Sequence, residues 1–127
     1  MKDSDLQRIQ HMKTYCEDIA DTIKRFGEDY QVFESDKDFY NSVSMSIMQI
    51  GELSAGLSDD FKDATRHQIQ WGSLKGIRNL FAHAYISMTK SVIWESATKD
   101  IPHVLAFCNE VIALNEPAEE SEPTLSM

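Results

Sequence analysis

The chain has 127 residues, 42% apolar and 26% charged, which is enough for one compact core and too little for two domains. Its formal net charge of −9 argues, as an average, against affinity built on phosphate contacts, which come from Lys and Arg displacing counterions. No apolar run approaches the roughly 18 residues of a membrane helix, and none follows the amino-terminal Met1 to Arg8, so the expectation is a cytoplasmic protein with neither membrane span nor signal peptide.

In chain order, Asp3 or Ser4 can cap a first helix with the apolar stripe Leu6, Ile9, Met12, Cys16, Ile19, Ile23 and Phe26, and Gly27 supplies its stop. A connector with Tyr30, Val32 and Phe33 leads to Ser35, which stands before Asp36-Lys37-Asp38 as the cap signal of a second long helix. That helix carries Val43, Ile47, Ile50, Leu53 and Leu57 on one face. Gly51 lies in the middle of it, at a cost of about 1 kcal/mol against Ala in an exposed helix. This cost is tolerable where another helix crosses closely, so Ile50-Gly51-Glu52 is expected to be a packing contact. Ser58-Asp59-Asp60 is cap chemistry for a short helical link ending near Ile69.

A third main helix is predicted from about Gly72, with Trp71, Leu74, Ile77, Phe81 and Ala84 along its inner side. Ser87 and Thr89 can cap the last helical segment. Its apolar positions Ile93, Ala97, Ile101, Leu105, Cys108 and Ile112 keep helical phase through Pro102. This predicts either one kinked helix or two stacked ones, with Asp100 capping the second and Pro102 in its first turn. Cys16 and Cys108 fall on the apolar faces of separate helices and are expected to be core thiols rather than a disulfide.

The resulting fold class is all-α: an antiparallel bundle of four main helices plus a short helical link over residues 1–115. Residues 116–127, with four acids, two prolines and no base, are expected to form a disordered acidic tail. Tyr30, Phe33, Trp71 and Trp94 exceed the aromatic content so small a bundle easily buries, which predicts a homodimer.

Reactive chemistry concentrates between Lys75 and Tyr85. From Lys62 to Trp94 five cations, Lys62, Arg66, Lys75, Arg78 and Lys90, face the single acid Asp63, so a locally positive surface is expected on an acidic body. Bundle metal sites use Glu-x-x-His pairs, and none occurs here. The nearest match, Asp100-x-x-His103, is better explained as a helix start and a surface histidine. No glycine-rich phosphate loop has the required spacing.

Arg78 and His83 remain, and their chemistry suits phosphodiester cleavage without a metal. Histidine can take a proton from an attacking hydroxyl or give one to a leaving oxygen, while arginine grips the phosphate as charge builds. RNA brings its own nucleophile, the 2′-hydroxyl. Asn79 and the neighbouring Lys75 would contact substrate. On one straight helix, however, Arg78 and His83 stand about 140° apart around the axis and about 7.5 Å apart along it. A site using both needs a bend after Arg78 or a second copy of the chain. On the pair alone, a surface ion pair for Arg78 and a helix-end histidine explain the same residues.

Arg78-Asn79-x-x-x-His83-x-Tyr85 fills an Arg-x4-His-x-Tyr pattern, with Ile50-Gly51-Glu52 and Trp71 before it and Trp94 and Asp100-Ile101-Pro102 after it. With these motifs in this order, residues 3–115 resemble the HEPN superfamily, specifically the HepT-like ribonuclease toxins. The resemblance implies a homodimer in which two Arg/His motifs meet in a cleft and cut RNA as a metal-independent endonuclease, with no cofactor. It also implies a toxin-antitoxin pair, whose nucleotidyltransferase antitoxin transfers AMP from ATP to the motif tyrosine. Carried over, Arg78 and His83 are catalytic, Asn79 is supportive and Tyr85 is the AMP acceptor. Relatives often carry an acid between histidine and tyrosine, where this chain has Ala84. The alternative is a non-catalytic helical module that partners a nucleotidyltransferase, which the overall acidity and Ala84 favour.

Overall fold

The computed structural model describes residues 1–84 and 90–115, with Leu80 and residues 82–84 described by their backbone alone. The expected caps at Ser87 and Thr89, the acceptor Tyr85 and the acidic tail therefore lie outside the described residues. Among the described residues every element is helical: α1 (Asp3–Phe26), α2 (Tyr30–Ser35), α3 (Lys37–Ala55), α4 (Asp59–Thr65), α5 (Trp71–Ala84), α6 (Lys90–Glu95) and α7 (Ile101–Leu114). A π-helical turn, Ser96–Asp100, joins α6 to α7.

Sequence periodicity accounts for the long elements. The stripe of α1 buries Ile9, Met12, Cys16, Ile19 and Ile23, and α1 packs mainly on α3 and α7. The α1 and α3 helices run antiparallel, because contacts join opposite ends of the pair. Phe26 stacks on Phe39 at 4.4 Å between centroids, and Asp5 binds Ser58 just beyond α3. The stop at Gly27 is a left-handed cap, φ 97°, whose N–H donates to the Ile23 and Lys24 carbonyls. Asp36 rather than Ser35 caps α3, accepting from the Phe39 N–H at 3.0 Å. At the start of α1 neither Asp3 nor Ser4 caps; Lys2 occupies the cap position without a side-chain bond, and the first-turn acids Asp3 and Asp5 favour this end through the helix dipole, Asp5 also through its bonds to Ser58.

The connector after α1 is itself a short helix, α2, capped by Asp29, whose carboxylate accepts from the Gln31 N–H at 2.8 Å. It gathers the aromatics into one internal cluster. Phe33 is fully buried, edge-on to Phe39 at 5.1 Å, and meets Trp94 at 5.0 Å; Tyr30 lies 6.0 Å from Trp94. At the other end of the molecule Trp71 donates from Nε1 to Thr65 Oγ1 at 3.0 Å and packs against Phe61 and Phe107. Phe33 is thus buried and Tyr30, Trp71 and Trp94 half-buried within one chain, so these aromatics do not by themselves demand a partner surface. A case for a dimer has to rest on other features.

Toward the carboxyl end the backbone stays helical from Lys90 to Leu114, with Pro102 in the first turn of α7. Of the two expected arrangements, this is a single run with a local irregularity. Asp100 stands at the junction but its side chain makes no cap hydrogen bond. Cys16 and Cys108 are free, buried thiols. Burial pushes the Cys108 thiol up to about 12, and Cys16 is raised for the same reason first and by the neighbouring Cys108 second.

Candidate active site

The α3–α5 crossing positions the site. A Cβ placed on Gly51 would lie 2.9 Å from the Cβ of Arg78, 3.4 Å from the Leu74 carbonyl oxygen and 3.5 Å from the Arg78 Cα. Only glycine lets the two backbones approach this closely, so the packing role expected of Ile50-Gly51-Glu52 is met. The crossing also carries the surface ion pair that was the plainer expectation for Arg78, with a partner, Glu52, that spacing did not identify. Arg78 Nε donates to Glu52 Oε2 at 2.8 Å, with the two side chains 38% and 52% exposed. At that exposure the pair contributes about 0–1 kcal/mol to stability, too little to explain it as a fold determinant. Its geometric effect is larger: Glu52 takes the Nε hydrogen and leaves the N–H groups of Nη1 and Nη2 as the donors for a phosphate. The signal in the sequence was the acid next to the mid-helix glycine.

Arg78 is held by an unbroken helix. The α5 backbone continues through it to Ala84, so the bend that would bring Arg78 and His83 of one chain together is absent. The angular offset of about 140° stands. Lys75, Asn79 and His83 follow one another at four-residue intervals, one register row of α5, and Arg78 occupies the adjoining flank. Lys75 and Asn79 are exposed. The imidazole of His83 and the whole of Tyr85 lie outside the described residues.

Of the five cations counted from Lys62 to Trp94, two are committed. Arg78 is paired with Glu52, and Lys90 donates to the Glu34 carbonyl at 2.8 Å and lies 4.9 Å over the Tyr40 ring, at the α2–α3 corner. Lys62 and Lys75 line one small cleft of about 200 Å³ with Ser54, Ala55 and the edge of Trp71. The positive surface is therefore narrower than the segment's charge implied. It runs from Lys75 on α5 across to Lys62 on α4, beside the ion-paired Arg78. Sequence spacing did not single out Lys62, because its pairing with Lys75 depends on how α4 folds back against α5.

Among the described residues no group of three or more His, Cys, Asp or Glu could hold a metal, and no helix is long and apolar enough to cross a membrane.

A family model described as "Ribonuclease HepT-like" matches residues 12–111, a span that contains Gly51, Glu52, Arg78 and His83. A protein of Caldanaerobacter subterraneus subsp. tengcongensis, provisionally named an RNase, is 24% identical over 104 residues, 82% of this chain and 90% of its own length. Two proteins of Methanocaldococcus jannaschii with the same provisional name are 25% identical over 107 residues and 28% identical over 91, covering 86% and 76% of their own lengths and 84% and 72% of this chain. No solved structure gives a significant match.

Proposed function

Starting from the fact that the chain belongs to the HepT-like ribonuclease family, we propose that it is a metal-independent RNA endonuclease and the toxin of a toxin-antitoxin pair, acting as a homodimer with a composite Arg/His site. The observation that carries the dimeric site is the straight course of α5 through Arg78, which separates Arg78 and His83 of one chain by about 140° and leaves a second copy as the source of a complete set. Apolar surface is available for that copy beside α5. Met45, 54% exposed, borders a groove of about 520 Å³ with Met48 and Phe81.

In this mechanism the RNA 2′-hydroxyl attacks the adjacent phosphorus. One His83 takes the hydroxyl proton, and its twin gives a proton to the departing 5′-oxygen. The products are a 2′,3′-cyclic phosphate and a 5′-hydroxyl. The Nη donors of Arg78, oriented through Nε by Glu52, stabilise the charge that grows on the phosphoryl oxygens. Lys75, Asn79 and Lys62 hold neighbouring phosphates along the α5 flank. Regulation is assigned to a nucleotidyltransferase antitoxin. The Tyr85 phenol oxygen attacks the α-phosphorus of ATP, pyrophosphate leaves, and the AMP so placed, two residues from His83, blocks RNA.

The purified protein incubated with total RNA in EDTA is expected to cleave it, and Arg78→Ala or His83→Ala to abolish cleavage with unchanged helical circular dichroism. Cleavage that persists in the double variant overturns the assignment, whereas RNA left intact by the wild type favours the non-catalytic module. Mass spectrometry after co-expression with the partner tests the modification: added AMP must disappear in Tyr85→Phe.

A further inference from the structure

A second cleft, lined by polar side chains over an apolar floor, is not part of the Arg78 site. It opens on the other flank of α5, between the 66–70 loop, the first half of α5 and the start of α7, and has a volume of about 400 Å³, within the range of small-molecule sites. Its floor is apolar. Ile69, Leu74 and Val104 are each no more than 5% exposed, and half-buried Ile77 adjoins them. Its rim carries donors and acceptors of several kinds: the Arg66 guanidinium, the Gln68 and Gln70 amides, the Ser73 hydroxyl and the Asp100 carboxylate.

Two features show that this rim is structured. His103 Nε2 lies 2.8 Å from the Gln68 carbonyl oxygen, so the ring donates from Nε2 and ties the loop to α7 across the cleft. The π-helical turn, a rare conformation that frequently marks functional sites, ends at Asp100, which lines the cleft. There Asp100 makes no cap hydrogen bond, and Arg66 makes no ion pair among the described residues.

We propose that this cleft binds a nucleotide, with its base against Ile69, Leu74 and Val104 and its phosphate on Arg66. The chemistry narrows the ligand. A lone inorganic anion would use Arg66 and leave the apolar floor empty. An acyl chain would fill the floor and use neither the Arg66 guanidinium nor the Asp100 carboxylate at the rim. A nucleotide has a flat apolar face, an edge with both donors and acceptors and an anion at the far end, in the same order as floor, rim and Arg66. That nucleotide is either a free mononucleotide or one residue of a bound RNA strand.

Isothermal titration of the full chain in EDTA with AMP, adenosine, inorganic phosphate and a 2′-O-methyl oligoribonucleotide distinguishes these sources. AMP is expected to bind more tightly than adenosine or phosphate, with amide shifts at Gln68, Leu74 and His103, and Arg66→Ala to weaken it at least tenfold while Lys24→Ala does not. The exposed Arg66 can be replaced without disturbing the core, and a second variant, Asp100→Ala, should reduce the preference for AMP over phosphate. If the oligonucleotide competes with AMP, the cleft is a strand subsite; if it does not, the cleft takes a free nucleotide. Absence of AMP binding at millimolar concentration, phosphate binding as tightly as AMP, or AMP binding insensitive to Arg66→Ala overturns the proposal. The titration requires no turnover. A protein that binds AMP here but cuts no RNA would refute the ribonuclease reading and leave this one intact.

Discussion

Replacing Gly51 by alanine tests the α3–α5 crossing on which the proposed site depends. The new methyl would lie 2.9 Å from the Arg78 Cβ, against the roughly 3.5–4.0 Å at which carbon atoms pack best. The atoms it meets are a backbone carbonyl, a Cα and a Cβ, none of which can rotate away. The helices must therefore part by about 0.5–1 Å. Overpacking of this kind costs about 1–3 kcal/mol, offset by about 1 kcal/mol from replacing glycine within a helix. The net loss should be up to about 2 kcal/mol, or several degrees in Tm for a domain of this size. Cleavage should fall by more than stability accounts for, because the displaced atom is the base of the Arg78 side chain. Gly76→Ala is the matched control. A Cβ there meets nothing within 4 Å, so this substitution should raise Tm. Thermal circular dichroism and RNA cleavage of both variants measure the difference. If Gly51→Ala is as stabilising as Gly76→Ala and keeps full activity, the close crossing and its role are wrong.

Glu52→Gln should change unfolding free energy by less than about 1 kcal/mol, since the ion pair is half-exposed, yet lower cleavage about tenfold by freeing the Arg78 guanidinium to rotate; equal losses in both would refute a positioning role. Asp5, 3% exposed, accepts from Ser58 Oγ at 2.6 Å and Ser58 N at 2.9 Å. Burial acts to raise its pKa, but the bonds from Ser58 and the charges of Lys2 and Arg8 outweigh burial and hold it below the ordinary carboxylate value. A carboxyl with a lowered folded pKa stabilises above its unfolded value and loses that contribution as pH falls through the folded one. Asp5→Asn should therefore cost about 1–3 kcal/mol at neutral pH, and urea titrations should show the gap to wild type closing below about pH 4. A gap constant with pH would contradict this. Cys16 and Cys108 should resist thiol reagents at pH 8 in the native protein and react fully once it unfolds, a contrast a colorimetric thiol assay reads directly.

Periodicity and local chemistry made much of the chain legible before any tertiary contact. The stripes of α1 and α3, the stop at Gly27, the cap at Ser58 and the burial of both thiols follow from spacing and residue type, because one face of each helix must leave water. Mid-helix Gly51 announced a close neighbour. What periodicity cannot say is which face meets which. The short α2 spans too few residues to show a helical period, so the aromatic cluster it closes looked like surplus surface. The Arg78–Glu52 pair joins residues 26 positions apart, and the Asp5–Ser58 bonds join residues 53 apart. The cleft between the 66–70 loop and α7 needed a π turn that apolar phase does not reveal. The sequence by itself determined the long helices and put Lys75, Arg78, Asn79 and His83 on one of them, since helix formation depends on neighbours within a few turns. Only the tertiary structure decided that Glu52 orients Arg78, that Lys62 joins Lys75, and that α5 runs straight and keeps Arg78 and His83 of one chain apart. Those relations depend on how separate helices cross, which no local pattern encodes.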